Sequence, residues 1–242
     1  MHDHVRRHLE ASLGFSIESF PAIGVVVRAS PKRTDSPGNR LLVHRIANQN
    51  GALATVVPRL LDTIAPAIGE MSSTELFSPL GIAELRRALS PEDRVGLLEE
   101  PGLDYTISGP QHFRSASTPH RSLPLMKKDI PAAREDFRLR MSQRDESPPE
   151  NLVWAFVCCH GRKRVAIAVI RWEEGLIGTI SIAGTKERYR RQGYGRAVVS
   201  AATEYILRQG RVPIYGTVRS NVPALRMIRP LGFRLAYETI WA

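Results

Sequence analysis

Residues 185–199, TKERYRRQGYGRAVV, combine positive charge with glycine at the start of a helical pattern. Five lysines and arginines fall within eleven residues, and Gly193 and Gly195 precede an apolar run with helical spacing. The first turn of a helix exposes unpaired backbone N–H groups at the positive end of its dipole, which suits an anion. Glycine would let a phosphate approach the backbone closely. The segment therefore predicts a diphosphate site, with charge from Arg190, Arg191 and Arg196.

Two common phosphate-binding loops do not fit this segment. A Walker A loop requires Gly-Lys followed by Ser or Thr, which the sequence lacks. A dinucleotide-binding loop requires a third glycine, but the residues after Gly195 are Arg196, Ala197 and Val198. That loop also needs an acidic residue about 20 positions further on, where this chain has Thr217 and Arg219.

The elements around the segment are those of a sheet with helices. Three apolar runs separated by short polar turns predict consecutive strands at residues 153–160, 165–172 and 176–183. The pattern that follows predicts a helix, a strand, a short helix and a last strand, at residues 193–209, 213–218, 222–229 and 233–240. Three meandering strands followed by this alternation indicate a mixed α/β sheet.

The motif Arg190-Arg-Gln-Gly193-Tyr-Gly195 resembles the Arg/Gln-x-x-Gly-x-Gly/Ala loop that binds acetyl-CoA in the GCN5-related N-acetyltransferase (GNAT) superfamily. A second segment, NVPALRMIRPLGF at residues 221–233, resembles the family's N-x-x-A/S…G-F segment. The elements between the two segments, and the strands upstream, are those of the family. The resemblance covers about residues 122–242. It implies an α/β (α+β) fold with a mixed, mostly antiparallel sheet flanked by helices.

The resemblance implies acetyl-CoA as co-substrate and no metal. The pantetheine arm would pair with the end of the strand at residues 176–183, where the family's sheet splays apart. Backbone N–H groups of residues 191–196 would bind the pyrophosphate, and one near Ala183 would polarise the thioester carbonyl for direct attack by an amine. The implied cofactor-binding residues are Ile182, Ala183, Gly184, Thr185, Arg190, Arg191, Gln192, Gly193, Tyr194, Gly195, Arg196, Asn221, Ala224 and Met227.

The sequence departs from the family where proton transfer is concerned. Many members have a tyrosine seven residues after the asparagine, and here that position is Ile228. The strand at residues 176–183 also lacks the glutamate that some members use as a base. We interpret Glu173 and Glu174 as solvated charges of a hairpin turn. The candidates for acid or base are Tyr215, Ser181 and His160, with Thr217 near Tyr215 on the same strand.

Composition is that of a globular protein, with an uneven charge. The 242 residues carry a formal net charge of +10, and residues 151–242, with 15 Lys+Arg and 5 Asp+Glu, account for all of it. Such a basic part suggests a partner with phosphates. No signal peptide and no run of about 18 apolar residues is present, so we expect a cytoplasmic protein without a membrane partner. Adjacent Cys158 and Cys159 are expected to be buried thiols, since on a strand they point to opposite faces.

The N-terminal part has no motif of its own. We expect a helix at residues 4–13, strands at 23–29, 41–46 and 104–108, a helical pattern at 53–68, a helix at 82–89 capped by Gly81, and a helix starting at Ser90. Residues 109–124, rich in Pro and Ser, suggest a domain boundary. His112 and His120, inside that segment, are interpreted as exposed loop residues. We expect an α/β accessory domain at residues 1–115, compatible with a degenerate GNAT-like half, and a GNAT domain at residues 116–242.

Three functions remain open at this point. The first is an acetyl-CoA-dependent N-acetyltransferase acting on a primary amine of unknown identity. The alternative is a non-catalytic acyl-CoA-binding or regulatory module, which Ile228 and the missing glutamate favour. Nucleic-acid binding by the basic part is not expected, because no recognisable nucleic-acid-binding motif is present. A homodimer is compatible with the sequence.

Overall fold

The computed structural model describes residues 3–139, 149, 151–173 and 176–242. The helices are α1 Asp3–Leu13, α2 Leu61–Ile68, α3 Ser73–Leu76, α4 Pro79–Ala88, α5 Ile130–Phe137, α6 Tyr194–Arg208 and α7 Val222–Ile228. The strands are β1 Ile23–Ala29, β2 Leu41–Ile46, β3 Asn50–Val56, β4 Gly102–Thr106, β5 Ser122–Leu125, β6 Ala155–His160, β7 Lys163–Trp172, β8 Ile177–Thr185, β9 Val212–Val218 and β10 Arg234–Trp241. No helix in those ranges has the length and apolar character needed to cross a membrane.

The predicted fold class is confirmed: the chain is a mixed α/β protein whose strands are mostly antiparallel and flanked by helices. It divides into two compact units. Unit 1 comprises Met1–Asp104, Thr217–Asn221 and Leu235–Ala242, and unit 2 comprises Tyr105–Gly216 and Val222–Arg234. The last strand falls in unit 1 because β10 pairs antiparallel with β2, a long-range pairing that no local pattern reveals. Independent domains at residues 1–115 and 116–242, and the origin of the first, stay predictions.

Unit 1 is built on four strands in the order β1-β3-β2-β10. Strand β3 runs parallel to β1 and antiparallel to β2. Apolar side chains of these strands pack against α2 and α4 in one core that includes Leu41, Val43, Ala54, Ile64 and Leu85. Helix α4 begins where Ser78 caps the backbone N–H of Gly81, with Pro79 at the first helical position.

Unit 2 holds strands in the order β9-β8-β7-β6-β5. Strands β5 to β8 are antiparallel to their neighbours, whereas β8 and β9 are parallel. Ile130 and Ala133 of α5 pack with the fully buried Trp154 and with Ile167 in one core. Helix α6 packs on β6, β7 and β8 and buries Val198, among other residues of that face. This framework places the end of β8 and the start of α6 next to each other in the chain.

Several expected elements differ in the structure. The helical pattern at residues 53–68 was wrong in its first part, because Asn50–Val56 is a strand. Strand β3 has a partner on each edge and is buried almost throughout, so its apolar run does not alternate and imitates a helix. The helix at residues 82–89 starts earlier and is capped by Ser78 instead of Gly81. The short strand β5 was not expected.

The helix expected to start at Ser90 was wrong. Residues 91–96 form hydrogen-bonded turns, with the N–H of Asp93 donating to Ser90 Oγ at 3.2 Å. Gly96 then adopts a φ of 99°, which ends any helical path. The sequence pattern also predicts a helix that is capped by Asp129 and runs to about residue 141. Helix α5 ends at Phe137, and Arg138 caps it in the left-handed conformation. The expected position of its end lies outside the described residues.

Both cysteines are free thiols. Cys158 is buried, Cys159 is half-buried, and the register of β6 and β7 shifts between them. Burial raises the pKa of the Cys158 thiol, while a contact of 3.3 Å between its Sγ and Ser122 Oγ opposes that shift. The prediction of a buried thiol is confirmed for Cys158.

His44 of β2 is a buried titratable group in the core of unit 1. Its Nδ1 lies 3.1 Å from Thr239 Oγ1, its Nε2 lies 3.4 Å from Ser12 Oγ, and its ring packs edge-on against Tyr237. Burial, together with the smaller effects of the nearby positive charges of His8 and Arg33, lowers the pKa of His44 from 6.5 to about 3. The folded protein therefore keeps this imidazole neutral through the mildly acidic range.

We expect acidification to destabilise unit 1 through His44. Between pH 6.5 and about 3 the unfolded chain binds a proton that the folded chain does not, so the free energy of unfolding falls as pH falls, by up to about 1.4 kcal/mol per pH unit. His44→Gln should lose about 2 to 3 kcal/mol less than wild type between about pH 7 and pH 4.5, as measured by urea unfolding. His112→Gln, at an exposed histidine, serves as control. Equal losses in wild type and His44→Gln would contradict this assignment.

Candidate functional site

Strand β8 loses one of its two neighbours halfway along its length. Residues 177–180 pair with residues 212–215 of β9, and this parallel ladder ends at Ile180 and Tyr215. Further on, β8 continues to Thr185 with partners on β7. Among the residues that the structure describes, residues 181–185 have no strand partner on their β9 side. The backbone there is free to pair with an extended ligand.

A β-bulge marks the point where the ladder ends. Val169 pairs with Ile182 and Ile170 pairs with Ile180, so Ser181 is the extra residue of β8. A bulge bends its strand and increases the local twist, which turns the end of β8 away from β9. The Oγ of Ser181 is buried and finds no hydrogen-bond partner among the described residues. A bound group could supply that partner.

The loop after β8 is held by its own side chains. A 3₁₀ turn, Glu187–Tyr189, follows Lys186. Arg190 Nε then donates to the carbonyl of Thr185 at 3.2 Å, and Gln192 Nε2 donates to the carbonyl of Arg188 at 3.1 Å. Arg191 and Gly193 are left-handed, with φ of 61° and 91°. These two residues turn the chain sharply into α6.

The start of helix α6 leaves backbone N–H groups without a partner in the helix. Gly193 is its N-terminal cap residue and has no capping side chain, and the first helical bond runs from the N–H of Ala197 to the carbonyl of Gly193 at 3.0 Å. The N–H groups of the residues before Ala197 therefore have no intrahelical acceptor. Arg191 and Arg196 are exposed beside them. Free donors, the helix dipole and two cations together suit an anion.

The structure explains why residues 193 and 195 are glycines without reference to a ligand. Gly193 is required by its left-handed φ, and a Cβ there would only make ordinary contacts of 3.6 Å with His120 and Thr118. At Gly195 a Cβ would lie 2.9 Å from Thr185 Oγ1 and 3.5 Å from Met227 Sδ. Gly195 thus lets the end of β8 approach the helix. Close approach of a phosphate to either glycine stays a prediction.

The second predicted segment lies partly in each unit. Ala224 and Met227 belong to α7 in unit 2, where Ala224 is buried and Met227 approaches Gly195. Asn221 precedes α7 and belongs to unit 1, where its N–H donates to the carbonyl of Val218 at 3.1 Å. The predicted contact of Asn221 with the pantetheine arm stays a prediction. Ile228 is fully buried, so that position offers neither a hydroxyl nor exposure.

Tyr215 lies where the ladder between β8 and β9 ends. It is 5% exposed, and its ring packs edge-on against Phe233 at 6.1 Å. Burial raises the pKa of Tyr215 to about 12, so its hydroxyl keeps its proton at neutral pH. Such a group can donate a proton and cannot serve as a base. Thr217, two residues further on, falls in unit 1, and its Oγ1 is buried without a partner among the described residues.

The other candidates for proton transfer lie elsewhere. His160 ends β6, two strands from β8, and its Nδ1 is 2.9 Å from the hydroxyl of Tyr194, the first residue of α6. Glu173 is not a solvated charge as expected, because its side chain is only 14% exposed and pairs with Arg171 at 2.7 Å. Glu174 lies outside the described residues.

His120 contacts the loop between β8 and α6, which the sequence did not reveal. Its Nε2 lies 2.7 Å from the carbonyl oxygen of Gln192, and its ring stacks on Tyr194 with 3.7 Å between ring centroids. Tyr194 is buried between this ring and His160, and Tyr189 packs edge-on against it. Residues 72 positions apart meet here, and a lone histidine in a polar segment carries no signal of such a contact.

A family model matches the part of the chain that contains this site. Residues 158–242 match the family described as FR47-like protein, which is related to the GNAT acetyltransferases. The match covers β7 to β10, including the loop and both glycines. Comparison of the sequence with curated proteins gave no match.

Solved structures with a similar arrangement include several GNAT proteins. A GNAT-family protein from Novosphingobium aromaticivorans has 21% identity and a TM-score of 0.45, over 58% of this chain and 62% of that chain. A GCN5-related N-acetyltransferase from Kribbella flavida has 17% identity and a TM-score of 0.48, over 59% of this chain and 57% of its own. The ribosomal-protein-S18-alanine N-acetyltransferase from Escherichia coli has 18% identity and a TM-score of 0.41, over 50% and 93%. The chain thus spans less than two thirds of the first two proteins, and likeness at this level identifies no substrate.

Replacement of Gly195 tests the packing of β8 against the start of α6. Gly195→Ala should lower the free energy of unfolding by about 1 to 3 kcal/mol, because the new Cβ would lie 2.9 Å from Thr185 Oγ1. Urea unfolding measures the loss. Removing the opposing hydroxyl with Thr185→Ala should reduce the cost of Gly195→Ala in a double-mutant cycle. Gly184→Ala, where the nearest atom lies 4.0 Å from the added Cβ, is the control. An equal cost in both backgrounds would rule out this contact as the cause.

Proposed function

We propose that this chain, whose residues 158–242 match a GNAT-related family model, is an N-acetyltransferase that transfers acetyl from acetyl-CoA to a primary amine. The observation that carries the proposal is the geometry at the end of β8. A strand edge becomes free beyond Ile180, and the chain then leads directly into a helix start flanked by exposed cations. A ligand with an extended arm that ends in a diphosphate fits this sequence of features, with the arm at the free strand edge and the diphosphate at the helix start.

Each part of acetyl-CoA has a place in this arrangement. The pantetheine arm pairs with the free edge of β8 formed by Ile182, Ala183, Gly184 and Thr185. The pyrophosphate accepts hydrogen bonds from the N–H groups at the start of α6, and Arg191 and Arg196 balance its charge. Ala224 and Met227 line the arm from α7. Ser181, with its buried hydroxyl lacking a partner, lies where the arm enters the sheet.

The reaction is a direct acyl transfer. The amine nitrogen, freed of its proton, attacks the thioester carbonyl, and the negative charge that develops on oxygen is stabilised by a backbone N–H near Ala183. Collapse of this intermediate breaks the carbon–sulfur bond and releases the CoA thiolate, which takes up a proton. Tyr215, which lies where the ladder between β8 and β9 ends, is the proton donor, since its hydroxyl carries a proton at neutral pH. The proton of the attacking amine passes to solvent.

Charge reversal at the start of α6 tests the cofactor site. Arg196→Glu should weaken acetyl-CoA binding at least tenfold by calorimetry, because a cation beside the diphosphate becomes an anion. Arg208→Glu makes the same charge change at the other end of the same helix and should leave the affinity within about twofold. Equal losses of acetyl-CoA affinity in both variants would mean that binding depends only on the net charge of the protein. Wild-type protein that does not bind acetyl-CoA would overturn the proposal.

Removal of the Tyr215 hydroxyl tests the proton donor. Tyr215→Phe should lower kcat about a hundredfold and leave acetyl-CoA affinity unchanged, because the hydroxyl acts only when the thiolate leaves. Thiol release is followed with the best acceptor from a panel of primary amines. Tyr105→Phe, at another buried tyrosine, is the matched control. An unchanged kcat in Tyr215→Phe would assign the proton to another donor or to water.

The second candidate is an acyl-CoA-binding module without turnover. The full burial of Ile228, where many GNAT members have a tyrosine, favours it. It shares the cofactor site and differs only in chemistry. Tight acetyl-CoA binding, sensitive to Arg196→Glu, without thiol release by any amine of the panel would select this candidate over the enzyme.

A further inference from the structure

Residues 113–121, which we call the strap, lie in no helix or strand, and hydrogen bonds hold them against other segments of unit 2. The N–H of Arg114 donates to the carbonyl of Leu231 at 3.1 Å, after α7. The N–H of Ala116 donates to Ser200 Oγ at 2.9 Å, in the second turn of α6. The strap then reaches the loop between β8 and α6, where His120 makes its last contact. It is therefore held at three places: after α7, on α6 and in the loop before α6.

His120 holds one peptide group of the loop. The acceptor is the carbonyl oxygen of Gln192, so Nε2 of His120 carries a proton and donates it over 2.7 Å. The backbone of His120 is fixed in turn, since its N–H donates to Thr118 Oγ1 at 3.2 Å. The ring lies nearly flat on Tyr194, at an interplanar angle of 18°. The hydrogen bond to Gln192 and the stacking on Tyr194 together fix the orientation of the imidazole ring.

The bond to Gln192 sets the direction of the next N–H. In a trans peptide the C=O and N–H bonds point in opposite directions, so the N–H of Gly193 points away from His120. Gly193 is glycine in the left-handed region, with φ 91°, and the peptide before a glycine can rotate at low cost. Without a partner for the Gln192 carbonyl, this N–H would not keep one orientation. His120 supplies that partner.

Tyr194, on which the ring of His120 stacks, is itself held by further contacts. Tyr194 is 4% exposed, and its hydroxyl lies 2.9 Å from His160 Nδ1. Tyr189 packs edge-on against Tyr194 at 6.1 Å and lies 5.3 Å from the ring of His160. The strap and the end of β6 thus clamp the first residue of α6 from two sides. None of these side chains belongs to the acetyl-CoA motif except Tyr194.

We propose that His120 is a positioning residue for the cofactor diphosphate, which it orients through the Gln192–Gly193 peptide group. The proposal rests on the proposed acetyl-CoA site and adds to it a residue from outside the matched family region. His120 acts on the backbone and does not itself contact the cofactor. The segment that looked like a connection between domains therefore serves the cofactor site.

Two replacements of His120 separate its hydrogen bond from its packing. His120→Phe keeps a flat ring on Tyr194 and removes the donor, and should weaken CoA binding about tenfold by calorimetry. His120→Gln places an amide N–H near the position of Nε2 and should restore affinity to within about threefold of wild type. His112→Gln, at the exposed histidine of the preceding turn, should not change affinity.

A second ligand distinguishes positioning from general disorder of the site. Pantetheine lacks the diphosphate, so its binding at millimolar concentration, followed by NMR chemical shifts, should be equal in wild type and His120→Phe. Unchanged CoA affinity in His120→Phe, or an equal loss for pantetheine, would overturn the role of His120 while the acetyl-CoA site stands. A wild-type protein that binds no CoA would overturn both.

Discussion

The parallel pairing of β8 with β9 covers four residues on each strand and then stops, while β8 continues for five more residues against β7. A strand inside a sheet normally has both edges satisfied, because unpaired N–H and C=O groups that are shielded from water are costly. Here the bulge at Ser181 bends β8 at the point where pairing ends. An extended chain can complete the free edge, and the proposed pantetheine arm has that shape. The loop and the start of α6 follow directly after this edge in the chain.

Eight residues separate the end of β8 from the start of α6, and the loop that they form has little freedom. Two left-handed residues set its path, while Arg190 and Gln192 tie it to carbonyl groups of the same loop. Gly195 allows α6 to pack directly on Thr185. The distance between the free strand edge and the helix start is therefore built into the backbone. A flexible basic loop with the same charges would have to pay conformational entropy to reach that arrangement.

The sequence was sufficient for the loop, for the helix after it and for most strands of the C-terminal part, because each produces a local signal. Alternating or continuous apolar runs gave β6 to β9, and Gly193 and Gly195 stood at a helix start. The failures came from pairing at long range. Strand β3 was taken as part of a helix because it is buried on both faces, and β10 joins unit 1 through β2. His120 was interpreted as an exposed loop residue because its partner, Gln192, is 72 positions away.

The exposed arginines alone do not explain how such a site would select a diphosphate. Charges in contact with solvent are screened within about 8 Å at physiological salt, so Arg191 and Arg196 attract any anion without much direction. Backbone N–H groups are directional, and a bond made by them is strong only when they already point at the acceptor. In the proposed site, the buried Tyr194, held between His120 and His160, would therefore matter more for selectivity than the number of cations nearby. Basic residues would supply attraction, and the aromatic and imidazole contacts behind the loop would supply the fixed geometry that selects a diphosphate.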